Sequence, residues 1–226
     1  MAKEFLQELQ DNLGYHFKRK ELLEKALTHS STGAEQNYER LEFLGDRVVG
    51  LVVAHMLWEA FPGEPEGDLA KRHAALVQGK MLADIARLIG LGKSMQFSEA
   101  ERASGGAENE NILADGVEGV IGAMFLDGGL DVCHETIKKL WGNSIYIMRA
   151  PPQDPKTALQ EWAQGRGLPL PKYELIGRDG PDHAPTFEVQ VTVESYPPWV
   201  SKGASRRKAE KEAAAMLLAH LKEIES

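Results

Sequence analysis

The stretch Glu39-Arg-Leu-Glu-Phe-Leu-Gly-Asp46 constrains this chain more than any other. Leu41, Leu44, Val48, Leu51 and Val52 recur at helical spacing, which predicts an amphipathic helix running on toward Phe61. Glu39, Glu42 and Asp46 then fall at i, i+3 and i+7 and share one face. No lysine is interleaved on that stripe, so mutual repulsion raises at least one carboxylate pKa unless a cation compensates. Gly45 is a second constraint. Glycine inside a helix costs about 1 kcal/mol relative to alanine, and its presence there predicts a close approach by backbone or ligand.

Three acids on an isolated helix are more often a solvated face than a site. A partner stretch shifts that balance. Asn109-Glu-Asn-Ile-Leu-Ala-Asp115-Gly-Val-Glu118-Gly-Val-Ile-Gly122 carries Asp115 and Glu118 at i, i+3 in a strongly apolar helix, where charges are rarely left unpaired. Two helices offering Glu42 and Asp46 from one side and Asp115 and Glu118 from the other make an all-oxygen site suited to Mg²⁺ or Mn²⁺. Helical bundles also hold di-iron on paired acids, but that class uses Glu-x-x-His, and none of the seven histidines has a glutamate three residues before it.

These two blocks, Glu39 to Asp46 and Ile112-Leu-Ala-Asp115-x-x-Glu118 followed by Ile121-Gly122, resemble the catalytic signatures of the ribonuclease III family. Matched residue by residue, the resemblance implies Glu42, Asp46, Asp115 and Glu118 as catalytic metal ligands. It further implies that Glu39, and Glu66 in Glu66-Gly-Asp-Leu, lie near the cleft and orient water, RNA or a partner subunit. Arg47 departs from the pattern, since a small serine or alanine is commoner after the aspartate. Being one residue from a ligand, it bears on substrate contacts while removing no carboxylate.

The remainder of the first part reads as helical. Phe5, Leu6, Leu9 and Leu13 predict a first helix and Leu22, Leu23, Ala26 and Leu27 a second, from about Lys18 to Thr28. Leu27-Thr-His-Ser-Ser31 is similar to a stretch of the same family, and His29 reads as a structural loop residue. Proline and glycine in Phe61-Pro-Gly-Glu-Pro-Glu-Gly67 mark a loop. One helix is expected from Asp68, as N-cap, to about Ile89. Lys71, Arg72 and Lys80 on it read mainly as solubilising, with phosphate contact as the alternative. The glycine-, serine- and glutamate-rich stretch from Ser98 to Asn111 is expected to be a mobile surface loop or a flap. A glycine stop near Phe125-Leu-Asp-Gly-Gly129 ends the second acidic helix, and a last helix is expected from about Val132 to Met148.

Ala150-Pro-Pro-Gln-Asp-Pro155 breaks any helix and reads as a short semi-stiff linker between domains at 1–149 and 156–226. The pattern then changes. A helix from about Pro155 to Gly165 precedes period-two stretches near Lys172 to Ile176, Thr186 to Val193 and Trp199 to Gly203, followed by an alanine-rich helix with a basic first turn. Thr157, Gln160 and Glu161, the loop Gly180-Pro-Asp-His183, and Gly203-x-Ser-Arg206-Arg207-Lys208-Ala209 carry a resemblance to the double-stranded-RNA-binding domain. That resemblance implies RNA contacts by Thr157, Gln160, Glu161, His183, Arg206, Arg207 and Lys208, reading A-form shape across two minor grooves. Basic residues at a helix N-terminus suit phosphate. Glu210 stands where many such domains have another lysine, which reduces phosphate affinity.

The net charge of −8 would ordinarily argue against a nucleic-acid partner. Most of the acidic excess, however, precedes the proline cluster, and the part beyond it is close to neutral with a local basic patch. A single cysteine, Cys133, excludes an internal disulfide and a cysteine-based zinc site, and fits a reducing compartment. No long apolar run or signal-like start indicates a membrane or secreted protein, so a cytoplasmic location is expected.

The expected architecture is an all-α endonuclease domain followed by a small α+β (α-β-β-β-α) RNA-binding domain. The combined resemblance implies a Mg²⁺-dependent enzyme, with Mn²⁺ as substitute, that cuts duplex RNA as a homodimer and needs no protein cofactor. Its products carry 5′-phosphate and 3′-hydroxyl ends with short 3′ overhangs, and ribosomal RNA precursors and other structured transcripts are the expected substrates.

Overall fold

A computed structural model describes residues 2–148, 151–181 and 184–224. They form two compact units, Met1–Pro152 and Gln153–Ser226. The first unit is built from α1 (Ala2–Leu13), α2 (Lys20–Ala26), α3 (Glu39–Ala60), α4 (Glu66–Leu76), α5 (Gly79–Ile89), α6 (Leu91–Ser94), α7 (Glu99–Ala103), α8 (Glu110–Gly128) and α9 (Leu130–Ile147). None of the described helices is long and apolar enough to cross a membrane.

At the centre of this unit lies α8, apolar nearly all round and buried from Ile112 to Met124 except at Asp115 and Glu118, which are half-buried. Its start is fixed by Asn109, whose side chain accepts from the backbone N–H groups of Asn111 at 3.0 Å and Ile112 at 3.4 Å. The signature helix α3 crosses it at unusually close range. A Cβ on Gly45 would sit 1.8 Å from the Glu118 carbonyl oxygen, and one on Gly122 would sit 2.1 Å from that of Leu41. The close approach expected at Gly45 is therefore made by backbone, from both sides of the crossing.

Three expectations are corrected. The single helix from Asp68 to Ile89 is two. Its first half starts earlier, with Pro65 rather than Asp68 at the N-cap, and it breaks at Val77 and Gln78, where Gln78 is extended. The Leu76 carbonyl at the break accepts the buried Trp141 indole N–H at 2.9 Å. Arg72 does not face solvent or phosphate: it is buried, paired with Glu64 at 2.6 Å, stacked over Phe61, and donates to the Met148 carbonyl at 2.6 Å. The segment from Ser98 to Asn111 is no structureless loop. It forms α7 and a 3₁₀ turn, with Ser98 capping α7, Arg102 donating to the Met95 carbonyl, and Gly92 packed against the Ala107 carbonyl.

The second unit comprises α10 (Pro155–Gln164), β1 (Lys172–Asp179), β2 (Thr186–Thr192), β3 (Trp199–Gly203) and α11 (Arg206–Ile224). The strands pair antiparallel in the order β1-β2-β3, with a register shift between Leu175 and Gly177. Val189 and Val191 alternate inward at period two, and Leu159, Trp162, Val191, Ala213, Leu217 and Leu221 join in a core of their own. Asp154 caps α10 by accepting from the Lys156 N–H at 3.0 Å, and Pro155 occupies the first turn, where its missing N–H costs nothing.

Candidate functional site

The α3–α8 crossing decides where the acids go. Because Gly45 lets the backbones touch, Glu42, one turn before it on α3, is brought beside Asp115 and Glu118 on α8. One carboxylate oxygen from each lies within 4.8 Å of the others, all three half-buried. Burial and the neighbouring charges act together. Glu118 is pushed up to about 7, by burial first and then by Asp115 and Glu42, with Arg47 opposing. Glu42 is raised by burial, Asp115 and Glu39. Asp115 is raised by burial, while His29 pulls it back. Three carboxyls that resist ionising together, with no other donor type among them, fit a hard divalent cation, which would replace mutual repulsion with coordination.

The second expected acid of α3 is placed differently. Asp46 is not in the three-carboxylate group; its side chain pairs with the adjacent Arg47, whose guanidinium also lies 5.3 Å from the Phe43 ring centroid. Glu39, on the stripe with Glu42, is exposed and accepts from the Asn37 side-chain amide at 3.2 Å. Glu66 is exposed in the first turn of α4, on an apolar-walled hollow lined by Leu57, Trp58 and Leu69, and is not among the three clustered acids.

Two aromatic groups beside the acids were not singled out as partners by the sequence. Tyr38 is buried, and its hydroxyl pKa is raised well above the usual range by burial and by Asp115, Glu42 and Glu39. His29 is buried and stacks on Tyr38 at 5.5 Å between centroids, with Phe97 at 5.3 Å. Its Nδ1 accepts the Ser31 N–H at 3.1 Å, which keeps the structural role expected for it. Only the folded arrangement of α8 with the loop before α3 assembles this wall.

In the second unit Thr157 and Glu161 are exposed on α10 and Gln160 is half-buried beside them, while Arg206, Arg207 and Lys208 are exposed on the first turn of α11. His183 lies outside the described residues. Glu210 has a role that the sequence did not reveal. It takes Lys156 Nζ at 2.6 Å and Arg206 Nε at 2.9 Å, and these bonds, Lys156 foremost, hold its carboxyl below the usual range. It thus ties α10 to α11 and neutralises part of the basic turn.

A sequence profile described as Ribonuclease-III-like matches residues 19–144, and one described as Double-stranded RNA binding motif matches residues 155–221. A protein named Ribonuclease 3 from Ehrlichia ruminantium (strain Gardel) is 47% identical over 211 residues, covering 92% of this chain and 93% of its own. The chain belongs to the ribonuclease III family. A Ribonuclease 3 from Caulobacter vibrioides is 44% identical over 216 residues, covering 93% of this chain and 94% of its own. Among solved structures, the nuclease domain of ribonuclease III from Campylobacter jejuni superposes with a TM-score of 0.60 at 43% identity, covering 61% of this chain and 96% of that domain. Family membership extends over both units, and the three-carboxylate group lies within the nuclease-like match.

Proposed function

We propose that this chain is an endoribonuclease of double-stranded RNA that works with Mg²⁺, or Mn²⁺ in its place, and leaves 5′-phosphate and 3′-hydroxyl ends with short 3′ overhangs. Ribosomal RNA precursors and other structured transcripts in the cytoplasm are its substrates. The observation that carries this reading is the convergence of Glu42, Asp115 and Glu118 from two crossing helices, in a chain whose second unit matches a double-stranded RNA binding motif.

A divalent cation at these carboxylates would lower the pKa of the attacking water and offset the charge of the scissile phosphate. Glu42, Asp115 and Glu118 would hold it, since carboxylates alone repel a phosphate. Asp46, one turn along α3 from Glu42 and paired with Arg47 in this structure, would add a fourth carboxylate to the set. Tyr38 and His29, buried and stacked on each other beside the acids, lower the local polarity there and so support the raised carboxyl pKa values. Glu39 and Glu66 serve the rim, orienting RNA or a partner subunit. Arg207 and Lys208, with Thr157 and Gln160, grip the duplex.

A homodimer is the working form. Phe43 is 68% exposed beside the acids, and Leu51 and Trp58 continue an apolar surface along the same helix. The sequence pattern had assigned Leu51 to the core face; its exposure leaves α3 with apolar side chains on two sides, one for its own core and one for a partner. The Campylobacter jejuni nuclease domain is likewise described as having a flexible region involved in dimer formation.

The deciding experiment incubates the purified chain with a long RNA duplex, with and without Mg²⁺. Glu118→Gln is expected to abolish cutting while duplex binding persists. Cleavage by Glu118→Gln at an undiminished rate in saturating Mg²⁺ would remove that residue from the metal site.

A further inference from the structure

On the side of α3 away from the acids, a second group of potential ligands comes together. His55 and Glu59 stand at i, i+4 on α3, and His134 reaches them from α9. One ligand atom of each lies within 4.8 Å of the other two. His55 Nδ1 is 3.3 Å from His134 Nε2, and His55 Nε2 is 3.8 Å from Glu59 Oε1. The nuclease mechanism uses none of these residues.

The chemistry differs from that of the acidic site. Two imidazoles and one carboxylate suit a late first-row ion such as Zn²⁺, whereas Mg²⁺ prefers oxygen throughout. Two nitrogens each about 2.0–2.1 Å from a tetrahedral Zn²⁺ stand about 3.3 Å apart, the separation already present between the rings. An outer partner is also in place. Glu135 Oε1 lies 3.7 Å from His134 Nδ1, where a carboxylate favours the tautomer that keeps the proton on Nδ1 and turns the Nε2 lone pair toward His55. Partial exposure of all three side chains leaves room for water as the fourth ligand.

We infer that His55, Glu59 and His134 form a second metal site, specific for a Zn²⁺-like transition ion, which clips α9 to the helix that carries Glu42. On binding, the His55 proton that lies between the two rings moves to Nε2 of the same ring, so that His55 Nδ1 and His134 Nε2 both become ligands while each ring stays neutral.

Calorimetric titration of Zn²⁺ into the full chain tests this, using Glu118→Gln to weaken the acidic site as a competitor and excess Mg²⁺ to fill what remains of it. One Zn²⁺ per chain is expected to bind in that background. Adding His55→Ala or His134→Ala is expected to weaken binding at least about tenfold, the order of loss that even outer-shell changes cause at metal sites. In the same samples Co²⁺ should give a visible d–d band that disappears with either histidine. Alanine is the best helix former, His55 is exposed and His134 half-buried, and melting curves without Zn²⁺ verify that the variants fold. With Zn²⁺ present, the melting temperature should rise only where both histidines remain. No Zn²⁺ binding in the Glu118→Gln background, or equal affinity after either histidine is removed, overturns the site.

Discussion

Gly45 shows how much rests on one missing methyl group. An added Cβ would meet the Glu118 carbonyl oxygen at 1.8 Å and its carbon at 2.6 Å, backbone atoms that cannot rotate aside. Gly45→Ala should therefore destabilise the chain by about 2 kcal/mol or more through overpacking, despite about 1 kcal/mol gained in helix propensity. It should also part Glu42 from Glu118 and raise the Mg²⁺ concentration needed for cleavage. Gly142→Ala is the control, because a methyl group added there on α9 would meet nothing within 4 Å, and it should be neutral or stabilising. Equal urea midpoints for the two variants would refute the contact.

Glu118 supplies a second prediction at this scale. Its pKa rises from 4.5 to about 7, so the metal-free folded chain keeps a proton there that the unfolded chain has lost. The resulting stability is fully present below about 4.5 and is lost as pH rises through about 7. Glu118→Gln stays neutral and escapes that loss. In chelator, wild type should fall relative to this variant by about 1–2 kcal/mol across that window, the full shift being trimmed by solvent at the half-open site. Divalent cation should reverse the difference, since the ionised carboxylate is then the bound form. Parallel stability curves over the window would contradict the raised pKa.

Among the elements, α11 is where charge and packing compete. Arg206 is held by Glu210, which also holds Lys156, whereas Arg207 is exposed one position on. Arg207→Ala should consequently weaken duplex binding more than Arg206→Ala. The double variant should lower the slope of log affinity against log salt by about 1–2, as expected for one or two lost phosphate contacts. Filter binding across a salt series reads this, and an unchanged slope would take both residues off the RNA. The legibility of the elements follows the same division between local and long-range causes. The signature helix, the apolar α8 and the helix–three strands–helix order were readable because spacing alone specifies them. The break between α4 and α5 was not, since it involves an indole arriving from α9, and neither was the burial of Arg72, which depends on Glu64, Phe61 and the Met148 carbonyl. In the site, sequence named every acid of the three-carboxylate group. It did not place Asp46 with Arg47, find the Tyr38 wall, or show that Glu210 bridges two helices, because each depends on which side chains the fold makes neighbours.

At the scale of the whole molecule, two hydrophobic cores share no residue. One gathers side chains from Leu9 to Ile145, the other from Ala158 to Leu221. A core as small as the second supplies roughly 3–5 kcal/mol, so it should unfold before the larger helical unit rather than with it. A calorimetric scan of the full chain should show two transitions, and a single free energy of unfolding will not describe it. Ligands should then sort the transitions. A cation that binds only the folded acidic site raises the midpoint of the unit that contains it, by mass action, and leaves the other where it was. Mg²⁺ is expected to move the transition of the unit Met1–Pro152 alone, and Glu118→Gln to erase that movement. A single cooperative transition that shifts as a whole with Mg²⁺ would mean that the two cores unfold as one, and that occupancy of the carboxylates is felt by the RNA-binding unit as well.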